Sequence, residues 1–214
     1  MKGYGAGAGA LLLVVVALGC AGGEAESVRQ ATSVQTATVV APPFRAQDAL
    51  ISLPDLPPGW AMEPADQEKG ADFCGQGEGA ASLVAVQSVD KAEAQYAEGG
   101  GIPLLAHAVG VYSEGGAETA FARLRDLLDS CSSFESDGTT FTVAPVSFAE
   151  VGDESVPLLL QAEVDGFNVS FYYVIFRVGD GIAIVGYGGL APDVGEMEKF
   201  TGLAAQKLTE AQTP

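Results

Sequence analysis

The sequence predicts an α+β domain, an antiparallel sheet of about five to six strands with helices packed on one face and one disulfide. Three observations point there. The C-terminal half holds strand-like runs parted by the pairs Asp165-Gly166 and Gly179-Asp180, and such two-residue connections make consecutive strands antiparallel neighbours. Two other segments repeat apolar residues at intervals of three and four, which sets those residues on one stripe of a helix. Of the three cysteines, Cys20, Cys74 and Cys131, the first ends an export signal, which leaves an even pair.

That signal opens the chain. Lys2 supplies a basic start, and the apolar run Ala10 to Leu18 falls in the signal-peptide range of about 7–15 residues, short of the roughly 20 needed to span a bilayer. Gly19-Cys20 closes the run and resembles the bacterial lipobox, in which a small residue precedes a cysteine that receives a diacylglyceryl group. The resemblance implies a lipoprotein signal peptide at 1–19, lipidation of Cys20, and acyl chains such as palmitate holding the protein on the outer face of the cell membrane. Two other readings stay open. Ala17-Leu18-Gly19 also suits ordinary secretory cleavage at the same bond, which would release a soluble protein, and an uncleaved anchor is the third. Residues 20–43 are mostly small and polar, lack a helical or strand period, and end in Pro42-Pro43. They read as a disordered tether reaching roughly 25–30 Å.

The domain is expected at 44–212. Ala46, Ala49 and Leu50 suggest a brief helix, which the prolines of Leu53-Pro54-Asp55-Leu56-Pro57-Pro58-Gly59-Trp60 must end. After a glycine-rich loop bearing Cys74, Ser82–Val89 reads as a strand, then an Ala/Glu/Gly loop, then a strand over Leu104–Tyr112. Ala117, Phe121, Leu124, Leu128 and Cys131 form one helical stripe, so Cys131 points inward at the last turn. Strands follow at Thr139–Phe148, Val156–Val164, Asn168–Val178 and Gly181–Tyr187. A final helix starts at Asp193, with Glu196 three positions on, and buries Met197, Phe200, Ala204 and Leu208. With Cys20 consumed by lipid, Cys74 and Cys131 are expected to pair in an oxidising compartment. The loop so closed, of about 58 residues, is worth roughly 4 kcal/mol in the chain-entropy account. Two buried free thiols are the alternative.

Four stretches carry a family resemblance: Leu53 to Trp60, the helix end Ser130-Cys131-Ser132-Ser133-Phe134, the turn Val151-Gly152-Asp153-Glu154-Ser155, and the hairpin Phe176-Arg177-Val178-Gly179-Asp180. In this order they resemble the PknH-like extracellular sensor domain of actinobacterial membrane kinases and free-standing lipoproteins, over about Phe44 to Glu210. The resemblance implies an α+β fold with a cleft lined by sheet residues, thought to bind an extracellular ligand, and stapled by disulfides. Two bridges are common in the family, whereas these cysteines allow Cys74 to Cys131 alone.

Catalysis finds little support. A single histidine among 214 residues removes His-based triads and multi-His metal sites, and no nucleophile elbow, zinc motif or phosphate-binding loop is present. No catalytic residue, metal or cofactor is expected. His107 reads as a satisfied or edge histidine, and Asp153 with Glu154 as solvated turn acids rather than a paired carboxylate or a weak calcium site. With 28 acidic against 10 basic residues, net −18, the surface repels nucleic acid and anionic lipid, so neither is an expected partner. On the long strand, Tyr172 and Phe176 share the face opposite Phe171, Tyr173 and Ile175. One reading makes Tyr172 and Phe176, with Trp60 beside them, the floor of an apolar ligand cleft. The other buries them as core beneath the N-terminal segment. The expected function is a non-catalytic cell-surface lipoprotein that binds a small apolar ligand or an envelope protein and meets the membrane through Cys20. Alternatives are an exported hydrolase with an unrecognised Asp/Glu or Ser site, and a purely structural envelope lipoprotein.

Overall fold

The computed structural model describes residues 42–63, 74, 87–99, 101–136 and 138–213, all within the compact unit Val39–Pro214. The expected signal peptide, Cys20 and all but the last two residues of the expected tether lie outside the described residues, as do positions 82–86 of the expected strand Ser82–Val89. Among the described residues are eight strands: β1 (Trp60–Glu63), β2 (Asp90–Glu98), β3 (Leu104–Val111), β4 (Ser133–Ser136), β5 (Thr139–Pro145), β6 (Glu154–Val164), β7 (Phe167–Val178) and β8 (Gly181–Gly189). There are also two helices, α1 (Gly116–Ser130) and α2 (Val194–Ala211), and 3-10 turns at Ala46–Ala49 and Leu53–Asp55.

The strands form one sheet in the order β1-β2-β3-β8-β7-β6-β5-β4, antiparallel throughout. The chain builds β1 to β3, crosses by way of α1 to the far edge, and returns as a meander until β8 lies beside β3. The two-residue turns after β6 and β7 do make β6, β7 and β8 successive neighbours.

Five to six strands proves too few, because β1, β2 and β4 stand where the sequence predicts none. The segment read as an Ala/Glu/Gly loop is β2, whose partly buried Ala92 and Ala94 and buried Tyr96 alternate with exposed Lys91, Glu93 and Gln95. The period is a strand's, but alanine and glutamate are poor strand formers by composition. Positions 87–89, expected to be the end of a strand, form the turn and bend that lead into β2.

The helices cover both faces, not one. On one face α2 and the N-terminal segment bury Phe44, Ile51, Met197, Phe200 and Leu208 against Val174, Phe176, Ala183 and Val185. On the other, α1 buries Phe121, Leu124 and Leu128 against Leu158, Ile175, Ile182 and Ile184. Neighbours 174 and 175 thus belong to different cores, as the two-residue period of a strand requires. Each helix follows its stripe. Asp193 caps α2 by accepting from the Glu196 backbone N–H at 2.9 Å, and α2 packs so tightly that a Cβ on Gly181 would meet Leu208 Cδ1 at 2.6 Å. Cys131 caps the C-terminus of α1 and is joined by a disulfide to Cys74, 57 positions away.

Candidate functional site

The sheet face that carries α1 also carries a cavity of about 120 Å³, lined chiefly by Gln95, Leu104, Ala106, Phe171, Tyr173 and Gly186. Strand register explains it. Gln95 pairs with Ala106, Ala106 with Gly186, and Gly186 with Tyr173, so one rung crosses β2, β3, β8 and β7 with all four residues on one face. The next rung runs Leu104, Gly188, Phe171. In the opposite direction the rung Ala108, Ile184, Ile175 is part of the core under α1. Small residues occupy the middle of the two outer rungs and aromatic residues their β7 side, and a hollow follows. The rings also lean over the glycines, since a Cβ on Gly186 would stand 2.7 Å from Tyr173 Cε1 and one on Gly188 would strike Phe171.

No lining residue is charged at neutral pH. Burial pushes the Tyr173 phenol above its ordinary value, so it stays protonated. Leu104 is 37% exposed and gives the rim an apolar side. Such a hollow is suited to holding an apolar group and carries no acid-base pair.

The three residues expected to floor a cleft lie on the other face. Phe176 is fully buried within the core under α2, Tyr172 packs against that core, and Trp60 meets Phe200 edge-on with ring centroids 5.5 Å apart. Phe176 therefore cannot floor an open cleft. The core reading describes Phe176, with α2 joining the N-terminal segment as cover, while Tyr172 and Trp60 are partly buried at its margin. The sequence signal for the hollow was alternation: glycines at 186 and 188 on one strand, opposite aromatics at 171 and 173 on its neighbour.

No family model and no curated protein matches the chain in sequence. Among solved structures, it is similar to the crystal structure of the extracellular domain of PknH from Mycobacterium tuberculosis, with a TM-score of 0.58, 10% identity, and coverage of 79% of this chain and 96% of that one. The chain has the fold of the PknH extracellular domain. Of the four stretches that suggested PknH, the structure joins two through one side chain. Arg177 on β7 donates from Nε to Glu154 Oε1 at 2.8 Å and from Nη1 to Asp153 Oδ2 at 2.9 Å, while Arg125 of α1 pairs with the other oxygen of Glu154. Burial works to raise the Glu154 carboxyl, but hydrogen bonds and charge from Arg177 and Arg125 outweigh it and hold the group below its ordinary value. Both acids thus serve to fasten the turn; Asp153 remains exposed to solvent as expected, whereas Glu154 is partly buried. No group of three or more metal-ligating side chains occurs among the described residues.

His107 is also structural. It is buried on β3, where its Nδ1 accepts from the Ile51 backbone N–H at 3.0 Å, which puts the ring proton on Nε2. Tyr96 donates its hydroxyl to the Ile51 carbonyl at 2.6 Å, so both polar groups of one buried backbone residue are satisfied from the sheet. Nearby, Asp55 accepts from the Ser52 backbone N–H at 2.8 Å and pairs with Lys207 at 2.7 Å. These bonds fasten the N-terminal segment over the α2 face.

Proposed function

We propose that the chain is a non-catalytic, exported lipoprotein whose PknH-like domain binds a small apolar ligand or an envelope partner in the hollow between Leu104 and Tyr173. The observation that carries this reading is that hollow: uncharged, floored by Ala106, and walled by aromatic rings that lean over the neighbouring glycines, on a sheet face that α1 covers only in part. An apolar lining with a few convergent polar groups is the usual chemistry of a ligand site. The fold shared with an extracellular domain, the disulfide and the N-terminal signal favour an exported setting. Engagement of Asp153 and Glu154 by arginine weighs against these two acids as the site of a hydrolase.

The lipid on Cys20 is the reading's link to the membrane. Intact mass measurement of membrane-extracted protein, with and without Cys20→Ser, tests it. A lipid-sized excess in the wild type that disappears in the variant, together with release of the variant into the soluble fraction, is expected. A wild-type mass equal to the bare chain from Cys20 onward would instead mean ordinary signal cleavage and a secreted protein.

A further inference from the structure

We propose that the hollow takes a neutral apolar group of about the size of one six-membered ring, and not a whole lipid or an anionic amphiphile; this rests on the hollow being the binding site. Volume sets the size. At about 120 Å³ the space is close to the ~150 Å³ apolar cavity that admits benzene, and well under the ~300–1,000 Å³ of sites that enclose a drug-sized molecule.

The lining sets the chemistry. Phe171 and Tyr173 form one wall and Leu104 another, while the Gln95 amide supplies a donor and an acceptor without charge. An ionised group placed among these residues would lose hydration with no counter-charge to replace it. An anion would in addition approach a molecule of net charge −18, whose field opposes it. The floor cannot deepen at Gly186, because the Tyr173 ring already occupies the space above it. Ala106 is the floor residue beside it, and its side chain shares the face of Gln95 and Gly186. Enlarging it should fill the hollow from below.

The test uses the full chain with Cys20→Ser, so that no detergent competes for apolar probes. Toluene, dodecanol and dodecanoate are titrated while amide chemical shifts and the melting temperature are followed. Toluene is expected to shift the Leu104, Ala106 and Gly186 amides saturably and to raise the melting temperature, with at least tenfold weaker binding in Ala106→Leu and an intermediate loss in the milder Ala106→Val. Dodecanol binding at these amides while toluene does not would leave the hollow as a binding site and overturn the size inference. Dodecanoate binding as tightly as dodecanol would overturn neutrality. If none of the three probes moves these amides, the inference falls and the hollow is no longer supported as the site.

Discussion

Gly152 stands at φ +67°, where a Cβ would strike the Arg177 carbonyl, and that carbonyl accepts from the Asp153 backbone N–H at 2.8 Å. Both the dihedral and the close approach demand glycine. Gly152→Ala is therefore expected to cost roughly 2–4 kcal/mol in urea unfolding, and an unchanged midpoint would show that the turn is not locked as described. His107 makes a different prediction. Burial, and secondarily the charge of Lys207, lower its pKa from 6.5 to about 3, so the folded state keeps it neutral where the unfolded chain protonates it. Its contribution is fully present above pH 6.5 and is lost as pH falls toward about 3. The wild type should lose up to about 1.4 kcal/mol per pH unit relative to His107→Leu across that window, even though the variant is less stable at pH 7 for want of a partner for the Ile51 N–H. Parallel stability curves would contradict it. The sequence showed a lone histidine on a strand, but not that Ile51, 56 positions away, would be its partner, because that pairing depends on how the N-terminal segment lies across the sheet.

At the level of elements, what was legible followed hydrophobic period and turn chemistry. The stripes of α1 and α2, the Asp193 cap, and the β6-β7-β8 meander all announce themselves locally. What failed to show had strand geometry without strand composition, as in β2, or was too short to present a period, as in β1 and β4, each four residues long. The two-sided covering was partly visible. β7 carries Phe171, Tyr173 and Ile175 on one side and Tyr172, Val174 and Phe176 on the other, and a strand apolar on both sides belongs between two layers. A reading that leaves one of those sides open puts Phe176 on a cleft floor, whereas it is fully buried. Phe176→Ala separates the two assignments: as core it should destabilise by about 3–5 kcal/mol without altering ligand binding at the hollow, whereas a cleft floor would lose binding at little cost in stability. Chemical denaturation together with toluene titration measures both.

For the whole molecule, the acidic balance was readable from composition and the Cys74–Cys131 pair from cysteine count, and the PknH-like resemblance anticipated the fold. The hollow was not, because it requires the register of four strands, β2, β3, β8 and β7, of which only the β7-β8 pairing follows from a local turn. Its position on the α1 face is the central claim, and melting of the Cys20→Ser chain in the presence of cell-envelope extract tests it most directly. The extract should raise the melting temperature by several degrees, as mass action requires of anything that binds the native state. The rise should persist in Tyr172→Phe on the α2 face and vanish in Ala106→Leu, whose cooperative unfolding without extract verifies its fold. An equal rise in Ala106→Leu, with loss in Tyr172→Phe, would place binding on the opposite face and contradict the account.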